Sequence, residues 1–154
     1  MNHLRPWLVM FCLVCAACSG PDINEVVLQN LEDAKAKGFL REGGWLPPYL
    51  PSDSNRIRLR YDIDTNEIWA AFESSGGNLE TLERECKTIG ASEVRSVRTQ
   101  PRWWPESMST QRQSRQFPNS HMYYKCIDGS FIALSRAAET SYYWFQPGLN
   151  DAPR

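Results

Sequence analysis

The sequence predicts an α+β domain, an antiparallel sheet of about five strands with two helices packed on one face. Three observations predict it. Residues 56–63 alternate strictly: Ile57, Leu59, Tyr61 and Ile63 point one way, and Arg56, Arg58, Arg60 and Asp62 the other. That is the period of a half-buried strand. Asp128-Gly129 separates two short apolar runs and is a strong tight-hairpin dipeptide. Apolar residues recur at helical spacing in two other stretches, Val27, Leu31 and Ala34, then Leu79, Leu82, Cys86 and Ile89.

The remaining elements follow in chain order. Asp22 can cap the first helix, and Gly38 is placed to stop it. Gly43-Gly44-Trp45-Leu46-Pro47-Pro48-Tyr49-Leu50-Pro51 holds three prolines close together, which no helix interior or central strand accepts, so it reads as an ordered loop with apolar anchors. Asp64-Thr65-Asn66 turns the chain after the alternating strand, and Ile68 to Phe72 returns as its hairpin partner. Ser74 to Asn78 is a loop, and Gly90 ends the second helix. Residues 98–120, with Pro101, Pro105 and Pro118, read as irregular. Met122 to Ile127 and Phe131 to Leu134 form the second hairpin, and Tyr142 to Phe145 adds a further antiparallel strand. The two helix–hairpin halves share a loose layout.

Residues 1–18, MNHLRPWLVMFCLVCAAC, have the three-part layout of a secretory signal: Arg5, an apolar stretch from Trp7 to Val14, and small Ala16-Ala17. The stretch is far shorter than the ~20 residues a spanning helix needs. Cys15-Ala16-Ala17-Cys18 resembles the lipobox of bacterial lipoproteins, with Cys15 where leucine is usual. The resemblance implies cleavage before Cys18, acylation of that cysteine (palmitate among the chains) and a lipid anchor in the cell envelope. Ser19 in the next position implies the outer membrane if the cell is Gram-negative. An ordinary signal cut near Ala17 is the plainer alternative. The expected organisation is a cleaved signal at 1–17, lipidated cysteine and tether at 18–22, one globular domain at 23–147 and a disordered tail at 148–154.

A net charge of −1 leaves no footprint for nucleic acid. With Cys12, Cys15 and Cys18 in the leader or on the lipid, Cys86 and Cys126 remain. An even pair in an oxidising compartment reads as a disulfide. Two buried free thiols are the alternative.

Gly44-Trp45-Leu46-Pro47, Leu50-Pro51-Ser52, Asp62-Ile63-Asp64-Thr65-Asn66, Trp103-Trp104-Pro105, Tyr124-Lys125-Cys126 and Tyr142-Tyr143-Trp144 together resemble a group of small bacterial proteins, often lipoproteins, of no known activity. The resemblance covers most of the chain after the leader. It implies a shared fold and carries over no functional residues.

Several motifs invite sharper readings. Asp62, Asp64, Asn66 and Glu73 fall at positions 1, 3, 5 and 12 of a calcium loop, yet Glu67 stands where the loop needs glycine and the flanks read as strands. Turn carboxylates bonded to their own backbone explain them, so no metal is expected. His121 has no nucleophile motif beside it and reads as a strand-edge histidine. Glu80, Glu83 and Glu85 fit a solvated helix face. Arg102, Trp103 and Trp104, with Trp45, are candidates for a ligand or membrane-interface patch; the alternative is that the indoles form an apolar lid on the core. Arg95, Arg98, Arg112 and Arg115 would favour an anionic partner.

The expected function is therefore a non-catalytic binding or accessory module of the cell envelope, with no cofactor. Its partners are the membrane, through the lipid, and an envelope protein or cell-wall component. The rival is an envelope enzyme such as a carboxylate-based hydrolase.

Overall fold

A computed structural model describes residues 22–40, 43–95, 97, 99–108 and 117–148. The elements are β1 (Ile23–Asn30), α1 (Leu31–Ala36), β2 (Asn55–Asp62), β3 (Ile68–Glu73), α2 (Glu80–Glu85), β4 (Cys86–Ile89), β5 (His121–Cys126), β6 (Phe131–Ser135) and β7 (Thr140–Phe145), with short 3₁₀ turns at Ala91–Glu93 and Glu106–Met108. The strands form one seven-stranded sheet in the order β1-β2-β3-β7-β6-β5-β4. Every neighbouring pair is antiparallel. The α+β class with an antiparallel sheet and two helices is as the sequence predicts.

The strand count is not. The five expected strands are present, and β1 and β4 are added to them. The first expected helix is a strand over Ile23–Asn30 and helical only over Leu31–Ala36. The cap is Asn30, whose Oδ1 accepts from the Asp33 backbone N–H at 2.9 Å, and not Asp22. Ile23, Val26 and Val27 are β-branched, and their stiff χ1 suits an extended backbone. The second expected helix likewise ends at Glu85, and Cys86–Ile89 runs on as a strand beside β5.

The sheet buries apolar side chains on both faces. Ile57 and Leu59 of β2, Ile68, Ala70 and Phe72 of β3, Ile132 and Leu134 of β6 and Tyr143 of β7 point to one face, where Ala34 of α1 and Leu82 of α2 cover them. Both helices thus lie on that face. Trp69, Phe131, Ala133 and Trp144 point to the other, where the irregular chain supplies Val94, Val97, Trp104, Met108 and Phe117. Three rings pack on Trp144: Phe131 stacked at 5.5 Å, Phe117 stacked at 6.3 Å and Trp104 edge-on at 5.8 Å. Such pairs add to area burial.

Cys86 and Cys126 are bonded. They lie directly opposite each other in the β4–β5 register, so the bridge joins two neighbouring strands and not a helix to a strand. The Asp62–Glu73 segment is a hairpin, with Tyr61 opposite Ile68 and Asn55 opposite Glu73. Asp62 Oδ1 accepts the backbone N–H groups of Asp64 and Thr65 at 2.9 and 3.1 Å. Glu73 closes the far end of β3, about 17 Å from Ile68 at ~3.4 Å per residue, and holds Arg56 at 3.1 Å. The carboxylates that would have to converge on one ion stand at opposite ends of the hairpin.

Candidate functional site

The loop between α1 and β2 builds one side of a largely apolar concavity. Gly43 takes a left-handed backbone, φ 69°, and opens the loop. Leu46 is fully buried and donates its N–H to the Phe39 carbonyl at 2.9 Å, which fixes the loop beside α1. Leu50 and Pro51 are buried and return the chain to β2. Between these anchors Pro47, Pro48 and Tyr49 form a wall. Ile68 and Phe145, paired across β3 and β7, and Tyr143 form the floor, while Thr81, Arg84 and Glu85 of α2 and Asp128 of the β5–β6 turn face the wall. The groove encloses about 780 Å³. A shallower hollow of about 440 Å³, lined by Trp45, Asn66 and Pro147, shares Gly43, Gly44, Ile68 and Phe145 with it and extends it past the indole. Trp45 is half-buried and stacks on Tyr61 with centroids 4.3 Å apart.

The polar atoms at the floor satisfy one another. Tyr49 Oη donates to Asp128 Oδ2 at 2.6 Å and lies 2.8 Å from Ser130 Oγ. Ser130 donates to Asp128 Oδ1 from both its hydroxyl, at 2.7 Å, and its backbone N–H, at 2.9 Å. Burial, then the neighbouring Tyr143 and the Asp128 carboxylate, push the Tyr49 phenol far above its ordinary range, so it stays a protonated donor. Burial and Asp128 push Tyr143 up too. At the rim Arg84 Nε holds Glu85 Oε1 at 3.1 Å, an exposed pair of little energetic weight. What the groove offers a ligand is therefore mostly proline, aromatic and aliphatic surface.

The Trp103–Trp104 segment lies on the opposite face, and its two indoles have different environments. Trp104 is buried among Trp144, Tyr142 and Met108, and its Nε1 donates to the Met108 carbonyl at 3.3 Å. It is part of the lid on the second core. Trp103 is half-buried: Arg58 Cζ sits 5.0 Å from its ring centroid, and its Nε1 donates to Glu25 Oε1 at 3.3 Å. Glu25 also receives Arg58 at 3.3 Å and Arg60 at 3.6 Å, so one carboxylate serves both arginines. Arg102 is exposed and Arg95 half-buried. Arg98, Arg112 and Arg115 lie outside the described residues, as does Cys18.

Other polar clusters are structural. Asp53 accepts from Ser74 Oγ at 2.6 Å, from the Ser75 N–H at 2.7 Å and from the Gly77 N–H at 3.3 Å. Burial would raise its pKa, but these donors outweigh that and hold the carboxylate below its ordinary range. His121 Nε2 faces the Thr140 carbonyl at 3.1 Å, which leaves Nδ1 to accept from Ser120 Oγ at 3.0 Å. That places the ring on the edge of β5, bonded at both nitrogens. Glu80 and Glu83 are exposed on α2, and Glu85 is paired with Arg84.

Sequence reasoning weighed Trp45 and Tyr49 as ligand-patch or apolar-lid residues and missed Tyr143 and Asp128, which complete the groove. Gly44-Trp45-Leu46-Pro47-Pro48-Tyr49, apolar yet unable to join helix or sheet, was the available signal. The fold and groove together define an antiparallel α+β domain with an aromatic, proline-walled cleft. Residues 25–73, from within β1 to the end of β3, match the family model of the YbbD head domain. That span contains the whole proline-rich wall. No curated protein and no solved structure matches the chain.

Proposed function

We propose that the chain is a lipid-anchored lipoprotein of the bacterial envelope, acylated on Cys18, whose domain is a non-catalytic module that binds an apolar, extended segment of an envelope protein in the groove walled by Pro47, Pro48 and Tyr49 and in the hollow beside Trp45 that extends it. The observation that carries the binding half is the groove's chemistry. The Tyr49 and Ser130 hydroxyls and the Asp128 carboxylate are tied to one another, and most of the surface left open is apolar. Concave apolar sites with a few fixed polar groups are the usual form of a binding site, and proline and aromatic walls suit extended peptide. The leader layout and the Cys86–Cys126 bridge support the envelope address, since disulfides persist in oxidising compartments.

Photo-cross-linking tests the binding half in cells that make the full chain. A benzophenone amino acid placed at Trp45 or Pro48 is expected to give a discrete adduct of higher mass. The same probe at Lys87, exposed on the far edge strand β4, is expected to give none. No adduct from either groove position, or the same adduct from Lys87, contradicts the reading.

A further inference from the structure

Both edges of the sheet are open among the described residues, and they differ. The β4 edge is only four residues long, carries Lys87 and is bonded to β5 through Cys86–Cys126. Short edges and edge lysines are how proteins stop a sheet from recruiting another strand. The β1 edge has none of these guards. It is eight residues, Ile-Asn-Glu-Val-Val-Leu-Gln-Asn, with no lysine and no proline. Its register with β2 runs from Ile23↔Asp62 to Asn30↔Asn55 without a shift, so no bulge twists it away.

Two hydrogen bonds show which backbone groups face outward. The Asp22 carbonyl accepts from the Ile63 N–H at 3.2 Å, so even-numbered residues turn toward β2. The Gln29 N–H turns the other way and is sealed by Asp33 Oδ2 at 3.0 Å. Both backbone groups of a residue in an antiparallel ladder point to the same side. Ile23, Glu25 and Val27 therefore present N–H and C=O to the open side. Val27 is 70% exposed.

We propose that β1 is an interface between two copies of this chain, pairing antiparallel with its own symmetry mate about a two-fold axis at Val27. The strand is self-complementary in that register. Val27 meets Val27 of the second copy, Val26 meets Leu28, Glu25 meets Gln29, and Asn24 meets Asn30. Apolar residues thus oppose apolar ones, and the Glu25 carboxylate avoids its own copy. The Val27 pair exchanges two backbone bonds, and each Glu25 N–H reaches the other copy's Gln29 carbonyl. Asp33 seals the Gln29 N–H and ends the ladder there. A closed two-fold contact uses up the edge on both copies.

The test uses the full chain, N-terminal segment included, purified in detergent. Sedimentation is expected to give a dimer that Val27→Lys converts to a folded monomer that still unfolds in one cooperative transition, since the side chain is exposed and its backbone does not bond β2. Oxidation is expected to join two copies of Val27→Cys, whose Cα atoms would lie about 5.5 Å apart, within disulfide reach. It should join Val26→Cys poorly, because residue 26 faces 28. A chain that is monomeric at about 100 μM, or a dimer that Val27→Lys leaves intact, overturns the interface. Faster linkage at 26 than at 27 overturns the register.

Discussion

Trp144→Ala lowers the stability of the domain by about 3–5 kcal/mol, the cost of deleting a large aromatic from a packed core. Trp144 is 1% exposed at the centre of the second core, on β7, the strand through which β6, β5 and β4 join the first three. Its ring touches Phe131 from the sheet and Phe117 and Trp104 from the irregular chain. Removing it leaves a cavity that neither the pleated strand nor three separately anchored rings can collapse into. A domain of this size holds only about 5–15 kcal/mol in all, so denaturant unfolding should show a large fall in midpoint. Trp103→Ala, at a half-buried surface indole, should shift the midpoint by far less. Equal effects from the two would contradict the division of this pair into a core residue and a surface one.

Replacing both Cys86 and Cys126 by serine costs a comparable amount. The bridge closes a separation of 40 residues, worth about 4 kcal/mol in the chain-entropy account. The loss has a location. Among the described residues β4 is an edge strand of four residues that pairs with β5, and α2 leads directly into it. Without the bridge, β4 and the chain beyond it should open first, and limited proteolysis should cut within residues 86–100 before the hairpins. The buried cysteines become polar as well, which adds to the effect. An unchanged melting midpoint on full reduction would contradict this role.

The hairpins were legible because each rests on local chemistry. The alternation of residues 56–63 and the Asp62 side-chain bonds to Asp64 and Thr65 need nothing distant. Asp128-Gly129 is likewise self-sufficient, with Gly129 at φ 87°. The edge strands were not legible for the converse reason. A strand flanked on one side only, with Ile23 and Val27 both exposed, shows no clean alternation, and Val27, Leu31 and Ala34 happen to fall at helical spacing. The adjacent β-branched Val26 and Val27 were the better signal. Cys86 fits the spacing of α2, but its position is set by Cys126 across the ladder.

The groove was only partly legible. Trp45 and the prolines announce an ordered loop, but what the loop packs against is distant in sequence: Tyr49 meets Asp128 across 79 residues. The second core was hidden in the same way. Strands alternating apolar and polar predict one buried face, yet Trp69, Phe131 and Trp144 sit on the other. Only the sheet's assembly shows that Val94, Val97, Trp104, Met108 and Phe117 must cover them.

The proposed envelope role requires that the domain be held at the membrane. Four residues, 19–22, separate Cys18 from β1 and reach at most about 14 Å, so an acylated Cys18 keeps the domain beside the bilayer. Growing cells on radiolabelled palmitate and isolating the full chain measures this directly. Label in the wild-type chain, with none in Cys18→Ala and the variant released from membranes, is the result expected. Equal label in both chains, or no label in the wild type, contradicts the lipoprotein reading.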